Sequence, residues 1–155
     1  MGKPTPEWKT WDGRYHPTGG FDEIRILGEG RSAIRIFLRR GRPHRLDGPA
    51  IQAMDGREEW RENGRLHRAD GPAQILRNGT EAWFFEGKRH REDGPAFADA
   101  QGTLEWWHRG RQHRDDGPAA EYADGSVAWY VYGKRLEPSH PADAVKIRQI
   151  IERVG

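Results

Sequence analysis

The chain has no cysteine among its 155 residues, which excludes disulfide staples and thiolate-ligated metal centres. It is also short of apolar mass. Hydrophobic residues make up 34% of the composition against 32% charged, and mean hydropathy is −1.02. A thick globular core cannot be built from so little, although the length suits one domain. No apolar run approaches the roughly 18 residues of a membrane-spanning helix, and no basic-then-apolar leader precedes Trp8. A cytoplasmic setting is therefore expected, and a membrane partner is not. Basic excess is missing where nucleic acid would need it. The whole chain carries a formal +2, yet residues 41–132 hold 13 Lys/Arg against 16 Asp/Glu, a net of −3. A phosphate-binding groove along that stretch should show the opposite sign, so nucleic acid is not the expected partner.

What the chain has in quantity is punctuation and repetition. It contains 20 glycines, 10 prolines and 7 tryptophans, a composition suited to short strands, many turns and a thin layer around aromatic anchors. The block His-Arg-x-Asp-Gly-Pro-Ala starts at His44, His67, His90 and His113, a constant step of 23 residues. Gly56, Gly79, Gly102 and Gly125 keep the same step, as do Trp60, Trp83, Trp106 and Trp129. Gly41, Gly64, Gly87 and Gly110 open the units, and Gly133 opens one that does not finish. Residues 41–132 are thus four units with no insertion or deletion. Such spacing implies that every unit stacks on its neighbour in one geometry.

Within a unit, Asp55-Gly56, Asn78-Gly79, Gln101-Gly102 and Asp124-Gly125 separate two stretches of strand-like composition. Such dipeptides favour positive φ at both turn positions and so predict tight hairpins. The strands of the first unit are expected at 49–54 and 57–62. A second turn follows each tryptophan strand, at Asn63-Gly64, Glu86-Gly87, Arg109-Gly110 and Tyr132-Gly133. Two strands per unit predict an all-β fold, an antiparallel β-hairpin repeat array built as a meander or β-solenoid. At about 4.8 Å between strands, one unit advances about 10 Å. Trp60, Trp83, Trp106 and Trp129 then form a ladder that is expected to be the repeat core. The neighbours expected on its face become more apolar from Glu58 and Glu62 toward Val127 and Val131. A capping partner is therefore expected at that end. Ala144, Ile147, Ile151 and Val154 recur at helical spacing after Pro141, which predicts a short C-terminal α-helix that caps the sheet. Residues 1–40 read as a degenerate N-terminal repeat with a hairpin around Gly28-Glu-Gly30. Residues 133–155 read as a partial repeat plus the helical cap, and the whole as one domain.

The period, the aromatic strand end, the Gly-Lys/Arg-x-His turn and the later Asp-Gly hairpin resemble a divergent MORN repeat. Trp83-Phe-Phe-Glu-Gly87-Lys-Arg-His90 is the closest stretch, and the resemblance covers 41–136 well and 13–40 faintly. The long block after the turn departs from the simpler Gly-x-Gly of the common pattern. The resemblance implies elongated β-sheets that scaffold protein association, with lipid binding proposed for some members. It also points toward bacterial or viral proteins, where an inhibitor or immunity role is a special case of protein binding.

A His and an Asp three apart suggest a general base with its orienter, or two metal ligands. Recurrence in every unit argues otherwise, because an active site is needed once. The expected role is structural: Asp accepting N–H bonds in its turn, Arg and His pairing with carboxylates, glycine tolerating the turn dihedrals. No catalytic residue, metal site or cofactor is expected, and the protein is expected not to be an enzyme. His16, His108 and His140 read as surface or satisfied turn residues. Arg39, Arg40, Arg42, His44 and Arg45 form the densest basic cluster, read as a solvated edge or a docking point for an acidic partner. Binding should use positions that differ between units. Arg61, Phe84, Trp107 and Tyr130, each one past a ladder tryptophan, are expected to form an exposed stripe on the opposite face, its aromatic part about 20 Å long. The leading reading is a non-enzymatic protein-interaction module that docks another protein or itself. The alternative is an anion-binding module for nucleic acid, nucleotide or lipid headgroup, using Arg45, Arg68, Arg91 and Arg114.

Overall fold

A computed structural model describes residues 17–136, together with Gln149 and Arg153 of the C-terminal segment. The fold is all-β, as the repeat spacing predicts. Short antiparallel strands join in an open sheet of 12, flanked by three two-stranded ladders. The helical cap expected beyond Pro141 falls outside the described residues apart from Gln149 and Arg153, as does the whole of 1–16, to which Trp8 and Trp11 belong.

The first three units each hold four short strands where two long ones are expected, and the fourth holds three, because Val127–Val131 runs on through Trp129. In the first unit, Ile51–Ala53 pairs with Glu58–Glu59 in the main sheet, whereas Arg61–Glu62 pairs with Arg65–Leu66 in a side ladder. The break falls at the ladder tryptophan. Trp60 donates its N–H to Ala73 O of the next unit (2.7 Å), and its own carbonyl accepts from His67 N–H (3.0 Å). The two backbone groups of one residue therefore serve two different ladders, and the chain turns a corner there. Trp83 repeats the pattern with Ala96 and His90, and Trp106 with Ala119 and His113. Phe37 repeats it as well, donating to Ala50 O and accepting from His44 N–H. Phe37 stands 23 residues before Trp60 and is the fifth rung. The hairpin of Glu23–Leu27 and Ile34–Arg39 that carries this rung forms one end of the described sheet.

The turns carry a correction. At Asp55-Gly56 and its equivalents only the glycine has positive φ. Ala53 N–H bonds to Arg57 O and Gly56 N–H to Ala53 O, the pattern of a type I turn followed by a glycine bulge. The extra residue lets the Asx side chain cap the returning strand, as in the bonds from Arg57 N–H to Asp55 (3.1 Å) and Thr80 N–H to Asn78 (3.0 Å). The double-positive geometry belongs to the second turn. Arg40, Asn63, Glu86, Arg109 and Tyr132 all have φ between 45° and 50°, each followed by a positive-φ glycine. Four of these five are residues that seldom adopt that conformation, so something outside the turn must hold it.

The core is also corrected. The innermost column is Ala50, Ala73, Ala96 and Ala119, each 0% exposed. Trp60, Trp83, Trp106 and Trp129 lie outside it, half-buried. Among the described residues no large side chain is fully buried. Each of these alanine carbonyls receives the N–H of a ladder aromatic where the chain turns the corner, Phe37 at Ala50 and a tryptophan at the other three. Val127 is 51% exposed, so the apolar drift toward the C-terminus ends on solvent there.

Candidate functional site

The repeated block builds a clamp. Each block arginine lies flat on the preceding ladder ring: Arg45 over Phe37 (4.1 Å), Arg68 over Trp60 (4.0 Å), Arg91 over Trp83 (4.0 Å) and Arg114 over Trp106 (3.8 Å). Cation–π attraction at this range is worth about 0.5–1 kcal/mol on a surface. Each arginine Nε also donates to the aspartate two residues on, Asp47, Asp70, Asp93 or Asp116, at 2.7–2.9 Å. Arg68, Arg91 and Arg114 reach further, to the carbonyls of Pro72, Pro95 and Pro118 at 3.3 Å. The hydrogen bond from the guanidinium holds the Asp70 and Asp93 carboxyls below their ordinary range. Aspartate thus takes the arginine side chain as its main partner, where the sequence suggests backbone N–H groups.

Glycine in this block has a reason other than turn dihedrals. Gly48, Gly71, Gly94 and Gly117 lack positive φ, yet a Cβ at Gly94 would lie 3.0 Å from Arg91 Cζ and one at Gly71 2.5 Å from Arg68 Cζ. The guanidinium is sandwiched between an indole and a bare Cα. Gly94→Ala is accordingly expected to push Arg91 off Trp83 and cost about 1 kcal/mol. In an Arg91→Ala background the same change should cost almost nothing. A denaturant double-mutant cycle reads this directly, and equal costs in both backgrounds would rule the sandwich out.

The histidines face the other side of the block. Asn63 N–H donates to His44 Nδ1 (3.0 Å), Glu86 N–H to His67 (3.1 Å), Arg109 N–H to His90 (3.3 Å) and Tyr132 N–H to His113 (3.5 Å). The donors are the strained turn residues that close the same unit. His108 packs its ring near His90 at 4.9 Å, while His16 and His140 lie outside the described residues. In the basic cluster, His44 is buried and Arg45 is clamped, and Arg40 N–H bonds to Asp22.

The residues chosen as a partner surface are brought only partly together, and they are half-buried where an exposed stripe is expected. Phe84 and Trp107 meet through Arg89, whose guanidinium lies 5.6 Å and 5.1 Å from their rings and 4.9 Å from Phe97. Glu105 joins them, accepting from Trp107 Nε1 (2.8 Å) and Arg89 Nη1 (3.3 Å). Burial pulls the Arg89 pKa down and Glu105 opposes it. Arg61 stands apart, held by Glu59 (2.6 Å) and Gly64 O (2.7 Å). Tyr130 sits opposite Arg135. Sequence reasoning missed Arg89, Phe97 and Glu105. The two-residue turn at Glu86-Gly87 was a usable signal, because it places Arg89 opposite Phe84.

Among the described residues no group of three or more His, Asp or Glu is placed to hold a metal, and no helix is long and apolar enough to cross a membrane. The groove lined by Arg68, Asp70, Trp83, Arg91, Asp93 and Arg109 mixes both charge signs. These features define an antiparallel β-repeat sheet with an arginine–aromatic face. No protein-family model, characterised protein or solved structure matches the chain.

Proposed function

We propose that this protein is a non-enzymatic, MORN-like interaction module of bacterial or viral type, a cytoplasmic platform that docks another protein or a second copy of itself. An inhibitor or immunity-like role is a special case of the same reading. The observation that carries it is the Phe84, Arg89, Phe97, Trp107 and Glu105 cluster. Partly exposed aromatics around an arginine are the residue types that anchor protein interfaces, and the rigid sheet holds them in place before a partner arrives. Arg61 and Tyr130, the other two candidates, stand apart from this cluster. The anion-binding alternative is weakened because Arg45, Arg68, Arg91 and Arg114 each already carry an aspartate, which cancels the charge a phosphate would need.

Salt and substitution separate the two. Partner binding, measured with the protein that co-purifies from the native host, should vary little with ionic strength and fall about 30-fold or more, 2 kcal/mol, on Trp107→Ala. Charge reversal at Arg68 and Arg91 should matter less in variants that keep the wild-type circular dichroism. Sub-micromolar binding to DNA, RNA or anionic vesicles at physiological salt, lost on the two reversals and kept in Trp107→Ala, would reverse the assignment.

A further inference from the structure

Protein docking and the arginine clamp leave one repeated group without a task beyond packing, the block histidine. We propose that the block histidines His44, His90 and His113 are a proton-operated clasp: neutral, each holds the turn that leads from its own repeat into the next, and protonated on acidification it releases that turn.

The geometry assigns the protons. Each Nδ1 faces the N–H of the turn residue that closes its own unit, 19 residues on, so it must offer a lone pair and the ring proton must sit on Nε2. On three rungs Nε2 faces a carboxylate, Glu62 at 3.7 Å from His67, Glu92 at 3.7 Å from His90 and Asp115 at 3.0 Å from His113, of which Asp115 alone is within hydrogen-bond distance. His44 Nε2 is buried with no hydrogen-bond partner among the described residues. At His113 the neutral ring therefore satisfies both sides at once. A second proton on Nδ1 would point at the N–H it now accepts, turning a bond into a donor–donor clash. The turn residue then loses the contact that holds its positive φ. The N···N separation lengthens from 3.0 Å at His44 to 3.5 Å at His113, and there the Tyr132 ring stacks on His113 at 4.0 Å in compensation.

The surroundings decide which way the rings lean. His44 is faced by Arg39, which opposes a positive charge, and by Glu62 and Asp22, which favour one. His90 faces His108 and Arg109 against Glu92, and His113 faces His108 against Asp115. His67 faces Glu62 and the Phe85 ring. Burial is the largest influence on His44, His90 and His113, and it holds all three below the ordinary value of 6.5. A depressed histidine binds its proton more readily in the unfolded chain. Stability from these rings is thus complete above pH 6.5 and is lost as pH falls from there toward the folded-state pKa values. In that window the folding constant drops up to about tenfold per pH unit for each histidine so held. The aspartates shifted by the clamp respond at lower pH, near or below their ordinary 3.8, so the two effects separate.

The test pairs the wild-type chain with the His44→Asn/His90→Asn double variant. Asparagine keeps a side-chain acceptor near the Nδ1 position and does not titrate. Urea unfolding at pH 7.5, 6.5 and 5.5 should show the wild-type folding constant falling more steeply than the variant's, by up to about 100-fold per pH unit below 6.5. Parallel curves would overturn the clasp. Heteronuclear NMR of the wild-type imidazoles gives a second reading that needs no variant. His44, His90 and His113 should be Nε2–H tautomers titrating below 6.5, and Nδ1–H tautomers or titration at or above 6.5 would overturn it equally. If the double variant does not fold, the NMR result decides alone.

Discussion

Trp83→Ala is expected to lower stability by about 2–4 kcal/mol. Truncating a fully buried tryptophan costs about 3–5 kcal/mol. The half-buried position of Trp83 reduces that figure, while loss of the Arg91 stacking partner restores part of it. Trp60→Ala should cost about as much as Trp83→Ala. The tryptophan ladder alone makes Trp60 a terminal rung, but Phe37 stands before it in the same geometry and makes it an interior one. Urea denaturation of the two variants is the measurement, and a midpoint within about 0.5 kcal/mol of wild type for either would show that its indole is decoration. A cycle with Arg91→Ala should recover a coupling of about 1 kcal/mol with Trp83.

Ala96→Leu is expected to be at least as damaging, about 3 kcal/mol or more. Forcing methylene groups into a packed site typically costs about 1–3 kcal/mol, and this site has no slack. Ala96 is 0% exposed, and its N–H and carbonyl are both committed, to Glu105 O at 2.8 Å and from Trp83 N–H at 2.7 Å. A backbone shift that admitted leucine would break two ladders together. Leu46→Ala provides the contrast. Leu46 is 54% exposed, and its loss should stay within about 0.5 kcal/mol. Thermal and urea unfolding rank the two, and a tolerated leucine at Ala96 would mean that the alanine column is not the core.

Much of the architecture was legible because repetition is a strict signal. A 23-residue step kept from Gly41 to Tyr132 admits one stacking geometry, and period-two composition between Gly-containing turns admits strands. Turn types were legible only in part. Asp-Gly favours two different hairpin turns, and local preference alone does not choose between them. The side-chain cap from Asp55 to Arg57 N–H accompanies the bulged form, and the His44 contact to Asn63 N–H accompanies the other form one turn later. Of the candidate surface, Phe84 and Trp107 were visible as aromatic exceptions to the repeat. Arg89 was legible only through the Glu86-Gly87 turn that sets it opposite Phe84, and its contacts with Phe97 and Glu105 came from residues 8 and 16 positions away.

By itself, then, the sequence determined the strand-rich class, the number of units, their fixed register and the lack of basic excess along the array. Each of these depends on spacing or composition, which a chain carries whatever its fold. Tertiary structure decided which groups meet. It put small alanines at the centre and large tryptophans outside, because each alanine sits with its carbonyl bonded to a ladder aromatic's N–H at the corner, enclosed between successive units. It laid four arginines on four rings and against four aspartates, which uses up charge that composition alone would assign to a ligand. And it aimed each histidine at the turn that closes its own unit 19 residues away, a contact that spacing along the chain does not show.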